Sequence, residues 1–233
     1  MDLRENDLVD PQRHWYYQAK ARVVEAELRR HGHGRGALLD LGAGSGFFAR
    51  YLLDAGVVES AVCVDPGYGD EDLARSEGRL RFARSIPGEA FDAVLMIDVL
   101  EHVEDDGALF RDGVARLRPS GTFVVTVPAF ASLWSSHDEY LLHFRRYRRG
   151  GLRKALVQAD VQLHTLRYLF GLLFPIAFVR RRLRSRPTEA ASDLAEVPGW
   201  LNALLLRWFT FEHRVLPQRL FGLSVLAVGT KTR

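Results

Sequence analysis

Three glycines at alternate positions, Gly42, Gly44 and Gly46, follow the run Leu38-Leu39-Asp40-Leu41 and lead into the helical pattern Phe48, Leu52, Leu53. The pattern predicts a strand, a tight turn and a helix start. Glycine lets the backbone approach a ligand where a Cβ would collide, and a helix N-terminus offers unpaired N–H groups to an anion. The turn therefore reads as a nucleotide-cofactor cradle with Asp40, Gly42, Ala43, Gly44 and Gly46 as its contacts. A dinucleotide fingerprint needs glycine where Phe47 stands, which weighs against a nicotinamide-dependent oxidoreductase. Asp65 ends the next apolar run, 19 residues after Gly46, where an acid can accept hydrogen bonds from both hydroxyls of a ribose. The alternative is a turn carboxylate before Pro66-Gly67.

A second group of reactive side chains lies in Trp134-Ser135-Ser136-His137-Asp138-Glu139-Tyr140-Leu141-Leu142-His143-Phe144-Arg145-Arg146-Tyr147. A histidine that titrates near neutrality suits proton removal from an acceptor, and His137 and His143 are the candidates, His137 oriented by Asp138 or another acid. Arg145 and Arg146 are planar forked donors that could clamp a carboxylate or phosphate. The same residues could instead knit a loop to the rest of the fold.

The elements that must position these groups alternate. Residues 11–31 have helical spacing, with Pro11 near the start. Strand patterns at Ala37–Leu41, Ser60–Val64, Leu80–Ala83, Ala93–Ile97 and Thr122–Val127 are interleaved with helical ones at Gly46–Ala55 and Gly107–Leu117. After an irregular segment to Arg149 come a helix at Gly151–Ala159 and strand patterns at Gln162–Tyr168 and Ser224–Thr230. Repeated β-α alternation calls for a Rossmann-like α/β fold: a mostly parallel sheet with helices on both faces. The chain is expected to form one domain over residues 1–233, with a helical insertion at about 169–222 before the last strand.

Composition narrows the setting. With 233 residues, 47% of them hydrophobic, the chain can bury a sizeable core. The lone cysteine, Cys63, excludes an intrachain disulfide framework and a multi-cysteine zinc site, and favours a reducing cytoplasm. The charged segment Met1–Asp7 has no apolar core of a secretory signal. Charge is uneven: residues 1–139 carry 15 basic and 24 acidic side chains, whereas residues 140–186 carry 12 basic ones and a single acid, Asp160. Such a block suits an anionic partner or a solvated arginine face. Within the insertion, the apolar run Leu169–Val179 precedes Arg180-Arg181-Arg182-Leu183-Arg184-Ser185-Arg186, and a second apolar run spans Trp200–Phe211. Neither reaches the ~18–20 residues that cross a bilayer. The region 169–211 therefore reads as a helical cap, a dimer contact, or an interfacial helix on the anionic inner face of a membrane.

The glycine turn with its preceding acid resembles motif I of class I S-adenosylmethionine-dependent methyltransferases. Phe91-Asp92-Ala93-Val94-Leu95-Met96-Ile97-Asp98-Val99-Leu100-Glu101-His102-Val103 is similar to the fourth-strand motif of their small-molecule members, including the quinone-biosynthesis branch. Pro119-Ser120-Gly121-Thr122-Phe123-Val124-Val125-Thr126-Val127-Pro128 is similar to their fifth strand, so the resemblance covers roughly residues 35–130. The segments W-S-x-H-D and H-x-R-R-Y look like those of a bacterial subgroup.

The resemblance implies seven strands with the last antiparallel. It also implies S-adenosyl-L-methionine as cofactor, held by the glycine turn, Asp65, Pro66, Asp98 and Val99, with Trp15, Tyr16, Tyr17 and Lys20 of the first helix either closing over it, Tyr17 as the lid, or packing on the sheet. Many members carry an acid after the third strand to bind the adenine amino group; this chain has Phe82-Ala83-Arg84-Ser85-Ile86, so Ser85 or a backbone carbonyl takes that place. His102, Trp134, Asp138, Arg145, Arg146 and Tyr147 are the substrate candidates, and either His143 or His137 the base. The N/D-P-P-Y/F segment of base-modifying members is absent, which weighs against nucleic acid. His102, His137, Asp138 and His143 could converge on a divalent ion, as some related enzymes use, but no tight ligand spacing supports it and no metal is expected. The implied activity is methylation of an oxygen on a small anionic or lipid-linked acceptor. The alternatives are an RNA methyltransferase using the basic block, an oxidoreductase, and a non-catalytic cofactor-binding scaffold.

Overall fold

A computed structural model describes residues 10–32, 36–157, 159–183, 197–216 and 218–232. Its strands are β1 (Ala37–Leu41), β2 (Ser60–Val64), β3 (Leu80–Ala83), β4 (Phe91–Ile97), β5 (Leu117–Pro128), β6 (Val161–Leu169) and β7 (Ser224–Lys231). They form one seven-stranded sheet in the order β3-β2-β1-β4-β5-β7-β6. The β3-β2-β1-β4-β5 pairs are parallel, and β7 runs antiparallel to both β5 and β6. The mostly parallel α/β sheet with an antiparallel last strand is thus present. Strand order reverses between β1 and β4, which opens a crevice at their carboxyl ends.

The helices are α1 (Trp15–His31), α2 (Phe47–Asp54), α3 (Asp70–Ala74), α4 (Asp106–Ala115), α5 (Ser136–Tyr140), α6 (Arg149–Leu156), α7 (Leu173–Leu183) and α8 (Gly199–Val215). Burial on both faces explains why the central strands are almost continuously apolar. One core layer joins the sheet to Val24 of α1, Phe48 and Leu52 of α2 and Phe209 of α8. The other joins it to Phe110 and Val114 of α4 and Leu152 and Leu156 of α6. Cys63 is fully buried, and burial pushes its thiol well above the ordinary range, as befits a packing residue.

The first helix starts at Trp15, four residues later than its apolar spacing predicts. The Asp10 carbonyl accepts from the N–H groups of Arg13 and His14 at 3.0 and 2.9 Å, closing a separate turn, and His14 is extended at φ −75°, ψ 124°. The segment after β5 is also less irregular than expected. It contains α5, and the Tyr147 N–H donates to the Pro128 carbonyl at 2.8 Å, tying the loop back to the end of β5.

Between β6 and β7 lie α7 and α8. The aromatic ring of Trp15 stacks on Phe209 at 5.1 Å, and Asn202 of α8 both accepts from the Trp15 N–H and donates to the Arg13 carbonyl at 2.8 Å. The residues Arg184, Ser185 and Arg186 of the arginine run, and the segment Met1–Asp7, lie outside the described residues.

Candidate active site

The glycine turn takes the shape its composition allows. Gly42 and Gly46 have φ of 63° and 74°, in the left-handed region. A Cβ on Gly42 would stand 2.6 Å from a methyl of Val99. The turn is pinned to the neighbouring strand by Gly42 and Ala43 N–H groups donating to the Val64 carbonyl at 2.7 and 3.2 Å. Asp65 holds it from the side, accepting from the N–H of Gly44 at 3.2 Å and of Gly67 at 2.9 Å. These two bonds make Asp65 a turn carboxylate.

A cavity of about 410 Å³ opens where β1 to β4 end. Its wall comes from Leu41 and Gly42 after β1, Val64, Asp65 and Pro66 after β2, Arg84, Ser85 and Ile86 after β3, and Asp98, Val99, His102 and Val103 after β4, with Leu109 from α4. The lining includes the Asp65 carboxylate, an acceptor for a ribose diol, and apolar Ile86, Val103 and Leu109, which suit a flat purine ring. Volume and lining together accommodate an adenosyl cofactor.

Several expected contacts lie elsewhere. Tyr17 is buried in the core, its ring edge-on to Tyr16 and Phe47 at 5.5 and 6.3 Å, because its face of α1 packs on α2 rather than over the cavity. Asp40 points beneath the turn, on the α2 side of the sheet, since strand alternation sends it opposite to the cavity-lining Leu41. Burial pushes its carboxyl up to about 7. Ala43, Gly44 and Gly46 shape the turn without lining this cavity.

Behind Asp98 stands an ion pair that spacing alone did not mark. Lys20 of α1 is fully buried, and its ammonium donates to Asp98 and, at 2.8 Å, to the Tyr16 hydroxyl. The Thr126 hydroxyl donates to the other Asp98 oxygen at 3.0 Å. Burial alone would lower the Lys20 ammonium and raise the Asp98 carboxyl; their mutual attraction wins, leaving Lys20 above and Asp98 below its ordinary range. Asp98 adopts a φ of 54°, a strained conformation that these contacts hold in place. The available signal was a lysine one turn after Tyr16 in an otherwise apolar helix face.

The second reactive segment folds around one carboxylate. Asp138 is fully buried, and it accepts from the Ser135 N–H at 2.8 Å, His143 Nδ1 at 2.9 Å, and Arg146 Nε and Nη2 at 2.6 and 3.0 Å. Burial would raise its carboxyl, but the donors from His143 and Arg146 hold it well below the ordinary range. An ionised Asp138 requires a proton on His143 Nδ1, which turns Nε2 away from this hub. The S-x-x-D spacing of a capping box, Ser135 to Asp138, was the legible sign of this hub.

This arrangement corrects the substrate set. Arg146, with a 5% exposed side chain, is spent on Asp138 and the Ala129 carbonyl, so it is a tie and not an anion clamp. Arg145 donates to the Glu104 carbonyl at 2.7 Å and lies 3.4 Å from Asp106. Tyr147 is buried and donates to Asp106 at 2.7 Å. Trp134 is part of the surface beside this hub and, like His137, does not line the cavity. Arg167 is likewise turned inward to Glu27 at 3.0 Å, so the basic block 140–186 is not a single exposed face.

His102 is the histidine that reaches the cavity wall. His143 packs edge-on against it, ring centroids 4.6 Å apart, and His137 lies 6.3 Å from His143. The fully buried Glu101 completes the group: one ligand atom each of Glu101, His102 and His143 lie within 4.8 Å of one another, a donor set that could hold a divalent ion. Burial, and then the nearby Asp98 charge, pushes the Glu101 carboxyl well above the ordinary range. The convergence differs from that considered from sequence, where Asp138 and His137 stood in place of Glu101, because Asp138 is consumed by its own donors.

Comparison with known proteins gives a consistent picture. A family model described as a methyltransferase domain matches residues 12–166, from the turn before α1 into β6. A methyltransferase of Mycobacterium avium strain 104, described as uncharacterized, is 29% identical over 82% of this chain and 81% of its own length. A ubiquinone biosynthesis O-methyltransferase of Paramagnetospirillum magneticum is 32% identical over 109 residues, 42% of this chain and 43% of that protein. Among solved structures, the N-methyltransferase NodS of Bradyrhizobium japonicum with S-adenosyl-L-homocysteine aligns with a TM-score of 0.54, at 13% identity over 94% of this chain and 88% of that chain.

Proposed function

This chain belongs to the methyltransferase-domain family, as an S-adenosylmethionine-dependent methyltransferase, and on that premise we propose that it methylates an oxygen of a small acceptor presented beside His102. When bound, S-adenosylmethionine supplies a methyl group on a positively charged sulfur. Of the cavity lining, Asp65 would hold the ribose hydroxyls, Ile86, Val103, Leu109 and Ser85 would take the adenine, and Gly42, Pro66, Asp98 and Val99 would hold the rest of the cofactor. Methyl transfer is an in-line displacement, so the protein must chiefly align the acceptor and remove its proton. His102 takes that proton. His143 is a positioning residue: Asp138 fixes its ring, and its ring in turn fixes His102.

The observation that carries this reading is the chain Asp138–His143–His102 ending at the cavity wall. Oxygen as the acceptor atom is supported by the likeness to ubiquinone biosynthesis O-methyltransferases, 32% and 34% identical over 109 and 110 residues. With Arg145 and Arg146 already engaged, a compact anion has less to grip than the sequence implied. A lipid-linked acceptor is therefore favoured over a free anionic one.

Labelled methyl transfer from S-adenosylmethionine tests the proposal against phenols with and without a polyisoprenoid tail, small hydroxy acids, and total RNA. The expected product is a methyl ether on a tailed phenol, identified by mass spectrometry. Label recovered only in RNA, or only on nitrogen or carbon, would overturn it.

A further inference from the structure

The outer side of α8 carries an apolar stripe that packing does not require. Trp200, Leu204, Trp208, Phe211 and Val215 recur at helical spacing on one face, and each is 44–71% exposed. The opposite side, with Leu205, Leu206 and Phe209, is the one packed on the core. Helix α7 repeats the pattern with Ile176, Val179 and Leu183, exposed by 52–80%. Each helix is tied to the loop beside the other: the Glu212 carboxylate of α8 accepts from the N–H groups of Gly171 and Leu172, just before α7, at 2.6 and 3.3 Å, and Phe174 of α7 packs on Phe221, beyond α8, at 5.4 Å. A stripe of exposed large apolar side chains of this kind marks a docking site.

Among the described residues of these two helices, the exposed charge is of one sign. Arg180, Arg207, Arg214 and Arg219 are exposed, while Glu212, the one acid among described residues 170–183 and 197–221, is buried and spent on amides. A two-fold contact between copies would set these arginines against one another with no exposed acid among the described residues of the two helices to answer them. An anionic lipid surface answers them directly, and tryptophan beside arginine is the composition of the bilayer interface. No helix among the described residues is long and apolar enough to cross a membrane, so the two helices would lie in the interface plane.

We propose that α7 and α8 dock this protein on an anionic lipid bilayer. The inference goes beyond the acceptor reading and does not depend on it. Docking there leaves the site close to the membrane, because α8 packs on α1 through Trp15 and Phe209, and α1 carries the Lys20 that holds Asp98.

The test is sedimentation of the full chain with vesicles of phosphatidylglycerol and phosphatidylcholine against vesicles of phosphatidylcholine alone, at low and high salt. The wild type should bind the anionic vesicles about tenfold or more tightly, a preference that salt removes. Leu204→Glu/Phe211→Glu should lower vesicle affinity at least about tenfold while calorimetric affinity for S-adenosylmethionine stays unchanged. Arg207→Glu/Arg214→Glu should erase the anionic preference and leave circular dichroism intact. Equal binding to both vesicles, no binding to either, or unchanged binding by the first variant overturns the proposal. So does a dimer in sedimentation velocity that Leu204→Glu/Phe211→Glu dissolves.

Discussion

Replacing Lys20 with methionine probes whether a buried cation fixes the wall of the cavity. Methionine keeps the length of the side chain and removes the charge that Asp98 faces, leaving that carboxylate with the Thr126 hydroxyl at 3.0 Å. Breaking one side of a buried pair costs about 3–5 kcal/mol. Lys20 is fully buried but the Asp98 side chain is 30% exposed toward the cavity, so water offsets part of the loss and about 3 kcal/mol is the working figure. At about 2–4 °C per kcal/mol for a chain of this size, the Tm should fall by about 6–12 °C near neutral pH.

The pH dependence has a definite sign. The Lys20 ammonium is held above its ordinary value, so its contribution is present below the ordinary lysine range and lost as pH rises through the raised value. The Asp98 carboxyl is held below its ordinary value, so its contribution is present above the ordinary carboxylate range and lost as pH falls through the lowered value. The deficit of Lys20→Met should therefore be flat across neutrality and shrink in acid. Differential scanning calorimetry of wild type, Lys20→Met and Lys20→Met/Asp98→Asn measures it, and the double variant should recover part of the loss. A fall below about 2 °C, or a double variant no better than the single, would refute the reasoning.

Other substitutions separate the roles assigned above. Asp65→Ala should weaken S-adenosylmethionine binding by about 100-fold, since two charge-assisted hydrogen bonds are lost; unchanged calorimetric affinity would remove Asp65 from the site. His102→Ala should lower kcat by about 10²–10⁴-fold with little change in cofactor affinity. His143→Ala should lower kcat less and shift its pH profile, and full activity in both would reject the histidine chain. Arg146→Ala leaves Asp138 without its closest donor, so it should depress Tm by several degrees with KM nearly constant, whereas an anion clamp would show the reverse. Burial raises Asp40 to about 7, so the native state binds a proton that the unfolded chain releases, and stability is lost as pH climbs from the ordinary carboxylate range through about 7. The Tm of Asp40→Asn relative to wild type should accordingly grow between about pH 5 and about pH 8.

Sequence by itself determined the sheet and where the glycine turn and Asp65 fall along it. Period-two and period-3.6 apolar patterns are local consequences of burial, and the glycine turn and Asp65 sit at strand ends where the chain must turn. Those features need only a few consecutive residues to be legible. What sequence left open was the partner of each polar group. Asp40 and Leu41 are neighbours in the chain, yet the pleat of β1 sends one beneath the turn and the other into the cavity. Lys20 and Asp98 are 78 residues apart and meet because α1 lies across the carboxyl end of β4. The segment from Trp134 to Tyr147 read as substrate-facing, but burial of a single carboxylate, Asp138, draws its arginine and histidine inward, because a buried charge must be answered by donors. His102 reaches the cavity instead, placed there by the turn that follows β4. Local pattern fixes where strands and turns fall; only the packed fold decides which charge faces which, because that depends on distances between residues remote in sequence.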